Sequence, residues 1–324
     1  MIITRAPFRV SFCGGGSDLP AFYERHGGCV LSTSIRKYMY LTLHDYFFKD
    51  QIVLKYSRTE TVSDPDEIQH KYFRQCLRDF GVSGVEISSM ADIPAGTGLG
   101  SSSSFTVALL HLLHTYRGEY VSKYKLAEEA CEIEIGKLGE PIGKQDQFAA
   151  AFGGLNFLEF LPGGFVRVEP VIMAPESYKI LESNILMFFL GGTHSASAIL
   201  KEQSANMRED DKAAIQNRMC GLTRTLKEEL QKNNIDAMGH LLHENWVLKK
   251  SLAAGISTHR IDDIYDAALD AGALGGKLLG AGGTGFMIFY VKGEHQEKVR
   301  RALSGLREMK FEMDHSGASI VHVG

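Results

Sequence analysis

Pro94-Ala95-Gly96-Thr97-Gly98-Leu99-Gly100-Ser101-Ser102-Ser103-Ser104 decides the fold of this 324-residue chain. Glycine this dense is costly inside a strand or helix, so the stretch reads as a loop. The residues after it are helical: Phe105, Ala108, Leu109, Leu112, Leu113 and Tyr116 recur at the spacing of one buried helix face. A glycine loop running straight into a helix leaves amide N–H groups unpaired at the positive end of the helix dipole, which is a phosphate site. The serine hydroxyls add donors for phosphate oxygens or ligands for a hard cation. The plain alternative is a serine-rich cap on a surface turn; three glycines and four serines together favour the phosphate site over it.

Outward from this loop the chain reads as α+β. Towards the N-terminus, Ile2–Thr4, Phe8–Phe12, Val30–Ser34, Tyr38–His44, Ile52–Tyr56 and Val85–Ala91 have the β-branched and aromatic bias of strands, with a helix predicted over Asp66–Phe80 and stopped by Gly81. Beyond it come a helix from Lys123 to about Leu138, a loop Gly139–Gln145, and a hairpin of Leu155–Phe160 and Phe165–Val168 about Pro162-Gly163-Gly164. The second half predicts a strand Ile185–Leu190, helix over most of Ser195–Leu252 with a break near Asn233, a helix Asp262–Ala271, a strand Phe286–Val291, a helix Glu294–Met309 and a strand Ala318–Val323. Ala174-Pro175-Glu176-Ser177 reads as a linker, which sets two domains, 1–173 and 174–324.

Composition narrows the function. A 44% hydrophobic and 23% charged chain is globular, and its net charge of -4 has no basic footprint for nucleic acid. No apolar run is long enough to span a membrane and no signal-peptide pattern opens the chain, so a cytoplasmic protein without membrane association is expected. Cys13, Cys29, Cys76, Cys131 and Cys220 are odd in number and scattered, as reduced thiols are, and form no zinc pattern. No residue speaks for or against a homodimer.

Two further segments are glycine-rich: Arg5-Ala-Pro-Phe-Arg9-Val-Ser-Phe-Cys-Gly14-Gly-Gly16-Ser-Asp18 and Lys277-Leu-Leu-Gly280-Ala-Gly-Gly-Thr-Gly285. The latter contains GxGxxG, yet its glycines follow a predicted helix and lead into a strand, the reverse of the dinucleotide order. GxxxxGK[ST] is absent. All three segments, in this order, resemble the three motifs of the GHMP small-molecule kinases, over nearly the whole chain. The resemblance implies a two-domain fold: an N-terminal α/β domain carrying the nucleotide loop, and a ferredoxin-like C-terminal domain closing over it.

The same resemblance implies roles. Pro94, Gly96, Gly98, Leu99, Gly100, Ser101, Ser102 and Ser103 would cradle the phosphates of ATP. Ser102 and Glu134 would hold Mg2+, with Glu132 the alternative acid. Gly143-Lys-Gln-Asp146-Gln147 is similar to the galactokinase segment whose aspartate faces the acceptor hydroxyl, which makes Asp146 the catalytic base. Asp146 is alternatively a cap on Gln147–Phe152. Arg9 would stand beside Asp146 and offset charge on the transferring phosphoryl group. Asp18, Gly15, Gly16 and Ser17, with Gly282 and Gly283, would contact the acceptor.

Where galactokinases carry Gly-Glu-His-x-Asp, this chain has Gly14-Gly-Gly-Ser-Asp18, which disfavours galactose. Arg5 to Pro20 and Gly143 to Gly154 look like the D-glycero-D-manno-heptose 7-phosphate kinases of surface-polysaccharide synthesis. That likeness implies phosphorylation of the anomeric hydroxyl of a sugar phosphate to the 1,7-bisphosphate. Arg36, Lys37, Lys71, Arg74, Lys144 and His194 are the candidate contacts for the existing phosphate. The alternatives are an L-fucose-type sugar 1-kinase and a non-catalytic sensor of sugar and nucleotide; a sensor is disfavoured by the presence of Asp146 and Ser102.

Overall fold

The N-terminal strands bury both faces, and the sheet they build sets everything else in place. In the computed structural model, which describes residues 1–192, 197–207 and 209–324, the chain opens with β1 (Ile2–Cys13), α1 (Pro20–His26), β2 (Gly28–Asp45), β3 (Ile52–Lys55) and β4 (Thr59–Val62). Next come α2 (Lys71–Phe80), β5 (Val85–Ala91), α3 (Ser101–Tyr116), α4 (Lys123–Cys131), α5 (Gln145–Phe152), β6 (Leu155–Phe160) and β7 (Val166–Pro170). The second half holds α6 (Pro175–Asn184), β8 (Ile185–Phe189), α7 (Ser197–Asn206), α8 (Asp210–Gln231), α9 (Ala237–Lys250) and α10 (His259–Asp270). It closes with β9 (Gly275–Leu278), β10 (Phe286–Tyr290), α11 (Gly293–Ala302), β11 (Arg307–Met309), β12 (Met313–Asp314) and β13 (Ser319–Val323).

A nine-stranded sheet runs β13-β1-β2-β5-β3-β4, with β6 and β12 added along the long strand β2 and β7 on the far side of β6. Its pairings are antiparallel except β3 with β5. The pairs of short strands read from the sequence merge into β1 and β2; in β1 the proline at Pro7 falls on a register shift between Pro7 and Phe8 and does not end the strand. α3 packs on β1 and β2 with α4 and α5 over its other side. It is therefore buried nearly all round, Val107 and Leu110 included, and not along the single face its periodicity suggests. The Thr4 hydroxyl donates to the Ala108 carbonyl at 2.8 Å and the Ser104 hydroxyl to that of Pro7 at 2.8 Å, tying α3 to β1.

The smaller sheet has the order β11-β8-β10-β9. With helices between β8 and β9 and α11 between β10 and β11, this is the split βαββαβ arrangement of the ferredoxin-like fold. The proposed linker Ala174–Ser177 is instead the start of α6, with Pro175 at its first turn, where a missing N–H costs nothing. The helix read over Glu294–Met309 ends at Ala302, and Arg307–Met309 turns back as an edge strand on β8. β9 precedes the third glycine segment, so those glycines join two strands; the dinucleotide order still fails, since no helix follows them. The chain end returns to the first sheet: β13 pairs with β1 and β12 with β2. A cut at Met173 would thus leave two strands of the larger sheet on the far side.

Candidate active site

The glycine loop meets the third glycine segment edge to edge. Gly98 has φ +82, and a Cβ there would lie 2.5 Å from the Leu279 carbonyl oxygen; a Cβ on Gly285 would lie 2.4 Å from that of Thr97. Only glycine permits backbones this close. The junction walls one end of a cleft of about 360 Å³ between the two domains. Gly100, with φ 75, turns the chain into α3, whose start carries no side-chain cap, leaving the first-turn amides of a 16-residue helix for a ligand.

Arg9, on β1, and Asp146, in the first turn of α5, come together at this loop. Nε and Nη2 of Arg9 donate to Oδ1 and Oδ2 of Asp146 at 2.7 and 2.9 Å, a fork on both oxygens, while Nη1 donates to the Gly98 carbonyl at 2.6 Å. The carboxylate is thus engaged by Arg9, and α5 has no side-chain cap. A Cβ on Gly100 would reach 3.0 Å from Asp146 Oδ2. Beside the pair lies Asp18, 2% exposed, which accepts from the Gly16 amide at 3.0 Å and from Gln145 Nε2 at 3.1 Å. Burial, then the neighbouring Asp146, pushes its carboxyl up. Gly143 makes room for it: a Cβ there would overlap Asp18 Oδ2 at 2.0 Å.

Gly15, Gly16, Asp18, Gly96, Gly98, Gly100, Ser101, Ser102 and Gly282 line the cleft. Pro94, Leu99, Ser17, Gly283 and Ser103 do not. The Leu99 carbonyl accepts from the Arg9 amide, the Ser17 hydroxyl bridges the backbone of Cys29, and the Gly283 amide donates to Ile256. Glu134 also stands behind the wall, in a π-helical turn Glu132–Lys137. It is fully buried: its Oε2 accepts from Ser103 at 2.7 Å and from Gln147, and its Oε1 from Thr106 at 2.9 Å. Burial outweighs these bonds and raises it to about 7. Glu132 is on the surface, paired with Lys137 at 3.2 Å.

Magnesium needs hard oxygen donors, several of them from phosphate and water. The residues fit it in kind: the Ser102 hydroxyl at the cleft wall and, behind it, an acid that no cation contacts among the described residues. Those residues contain no cluster of His, Cys, Asp or Glu that would hold a metal alone.

Of the basic residues expected to meet a sugar phosphate, Lys71 lines the cleft but is paired with Glu140. Arg74 donates to the Ile68 carbonyl, Lys144 to that of Gly164, and Arg36 lines a different groove beside Lys179. Lys37 does not line the cleft. His194 lies outside the described residues. Two lysines that sequence reasoning passed over do line the cleft and are buried, Lys249 and Lys277. Lys277 opens the third glycine segment and was legible there as a cation beside glycines; Lys249 is one of several lysines on a helix, and nothing in its spacing marks it.

Residues 69–154 match the family model described as GHMP kinases N terminal domain and residues 226–310 that described as GHMP kinases C terminal, together more than half of the chain. A D-glycero-alpha-D-manno-heptose 7-phosphate kinase of Campylobacter jejuni is 28% identical over 97% of this chain and 96% of its own length. The crystal structure of a D-glycero-D-manno-heptose 1-phosphate kinase from Bacteriodes thetaiotaomicron superposes with a TM-score of 0.81 at 26% identity, covering 100% of both chains. Lactococcus lactis galactokinase, solved with galactose, shares the fold at a TM-score of 0.78 and 18% identity, over 98% of this chain and 94% of its own. Among the described residues no helix is long and apolar enough to cross a membrane. The chain belongs to the GHMP kinases, which use ATP as co-substrate, and is a phosphotransferase acting on a sugar hydroxyl.

Proposed function

We propose that the acceptor is D-glycero-D-manno-heptose 7-phosphate and that phosphoryl transfer to its anomeric hydroxyl yields the 1,7-bisphosphate, an early step towards an activated heptose for surface polysaccharide. The observation that carries the catalytic part is the two-bond fork of Arg9 on Asp146 beneath the phosphate loop. Gly96, Gly98, Gly100 and the start of α3 bind the triphosphate. Asp146 accepts the proton of the attacking hydroxyl, and Arg9 holds that carboxylate in place while facing the transferring group. Asp18 and the Gly15–Gly16 backbone orient the sugar. Ser102 would hold Mg2+ at the cleft wall, with Glu134 one layer behind it on Ser103, and the ion would supply neutralising charge to the phosphates.

The heptose assignment is supported by the likeness to the Campylobacter and Bacteroides enzymes over nearly their full lengths. A bifunctional fucokinase/GDP-fucose pyrophosphorylase of Arabidopsis thaliana is also 26% identical, though the match covers 30% of that protein. The test is ATP-dependent ADP release with heptose 7-phosphate, heptose, L-fucose and galactose. We expect kcat/KM for heptose 7-phosphate to exceed that for heptose about 10-fold or more, the worth of a charge-assisted contact. Equal values for the two heptoses, or a higher one for L-fucose, would overturn the assignment, and turnover of none would favour a sensor.

A further inference from the structure

Among the described residues, the cleft is lined by two buried lysines that are bonded to no acid. Lys249, on α9, is 6% exposed, and its ammonium donates to the Gly15 carbonyl at 3.2 Å and to Gln203 Oε1 at 3.0 Å. Lys277, on β9, is 4% exposed and donates to the Ser11 carbonyl at 2.7 Å. Neither is paired with a carboxylate among the described residues; both are bonded to neutral oxygens only. Leaving a charge buried and unpaired costs several kcal/mol, so two adjacent ones in a wall of a cleft point to a charge supplied by a ligand.

A second observation points the same way. Asn245, one helical turn before Lys249 and 1% exposed, also lines the cleft. Its Oδ1 accepts from the Gly14 amide at 3.2 Å, and its Nδ2 has no partner among the described residues. Nε2 of Gln203, whose Oε1 accepts from Lys249, is likewise without one among the described residues. A buried donor left unsatisfied costs about 1–3 kcal/mol and is retained where something binds it. Two ammoniums and a spare amide donor match the two charges and three acceptor oxygens of a phosphate monoester.

We propose that Lys249 and Lys277, with Nδ2 of Asn245, seat the phosphate group that the acceptor already carries. This rests on the reading of a phosphorylated sugar as acceptor. The nucleotide's phosphates have their own donors at the start of α3, whereas Lys249 bonds to the first glycine segment, whose Gly16 and Asp18 are bonded to each other. A sugar oriented by Asp18, with one hydroxyl towards Asp146, carries its far substituent to these lysines. Burial depresses Lys249 to about 8, against the pull of Asp18, and Lys277 to about 7; a bound dianion supplies the missing counter-charge.

The test is calorimetric binding of D-glycero-D-manno-heptose 7-phosphate and of the unphosphorylated heptose to the full chain, with ATP titrated separately. In the wild type the phosphorylated sugar should bind about 10–100-fold more tightly, the worth of one or two charge-assisted bonds. Lys249→Met should collapse that ratio to within about 3-fold, and Lys249→Arg should retain part of it. Asn245→Asp keeps the shape, gives the lysines an acid to pair with, and should cancel the preference even if the methionine variant fails to fold. If the wild type prefers the phosphorylated sugar and both Lys249→Met and Asn245→Asp keep that preference, the lysine seat falls and the acceptor assignment stands. If these variants weaken ATP and leave the ratio, the anion at the lysines is the nucleotide's and the inference is overturned. No preference in the wild type overturns both.

Discussion

At the residue scale, Asp146 and Arg9 form a unit whose halves are not interchangeable. Arg9 is 5% exposed and spends three nitrogens on two partners, so its position is set by the structure before any substrate arrives. Asp146→Asn keeps the volume, replaces one acceptor oxygen by a donor, and removes the proton acceptor. We expect kcat to fall about 10²–10⁴-fold with KM for ATP nearly unchanged, the usual worth of a general base. If proton transfer is unimportant and charge placement dominates, Arg9→Met will be the more damaging change. An Asn variant of near-normal rate beside a crippled Arg9→Met enzyme would remove Asp146 from the role of base. Both residues were legible in the sequence because each sits inside a motif of fixed spacing. Their nearness across 137 positions was expected only from the family resemblance, and the two-bond fork on both carboxylate oxygens is visible only in the fold.

At the scale of elements, the site depends on two glycine segments fitting against each other. Gly98 and Gly280 face one another across the domain boundary, and a Cβ on Gly280 would lie 2.7 Å from the Gly98 Cα. Gly98→Ala therefore meets a rigid carbonyl at 2.5 Å and must also adopt φ +82, which an alanine disfavours by about 1 kcal/mol or more. The loop should be pushed off the third segment. Equilibrium binding should show ATP affinity reduced about 10-fold or more, with the melting temperature changed little because the loop is not core. Unchanged ATP binding in Gly98→Ala would mean that the junction is not part of the nucleotide site. The density of glycine in both segments signals loops, but their meeting is a property of the tertiary packing, in which α9 lies against both β1 and β9.

At the scale of the whole molecule, the buried lysines tie stability to pH. Lys277 titrates near pH 7 in the fold against 10.5 ordinarily, with burial the chief cause and Lys249 and Arg9 adding to it, while Cys13 opposes. Folding thus favours its neutral form: the contribution is full above about pH 10.5 and is lost as pH falls through about 7. At about 1.4 kcal/mol per pH unit, the ceiling is of order 5 kcal/mol. Asp18 shifts the other way, so the informative quantity is a double difference. The ligand-free wild type should lose more melting temperature between pH 9 and pH 6 than Lys277→Met does, by about 5 °C. Equal losses in the two proteins would show that the ammonium is not buried as described. This is the stability that a binding site gives up in the absence of its ligand.

The α+β class, the glycine loop with the helix it opens, and the family were legible in the sequence alone, because these rest on local features: glycine density, serines at a helix start, and apolar periodicity. Sequence reasoning misread Glu294–Met309 as one helix, since Arg307–Met309 becomes a strand only because β8 offers an edge to it. It divided the chain at Met173, whereas β12 and β13 cross back to complete the larger sheet, a pairing between residues more than 270 positions apart that no local preference encodes. It placed Ser102 and Glu134 side by side as ligands; packing of α3 against the π-helical turn sets Glu134 one layer deeper, on Ser103. It looked for contacts to a sugar phosphate among Arg36, Lys37, Lys71, Arg74, Lys144 and His194 and passed over Lys249 and Lys277, because a lysine's burial is not written in its neighbours. Only the closing of α9 and β9 over the first glycine segment brings Lys249 and Lys277 into the cleft wall, where low polarity makes each charge conspicuous.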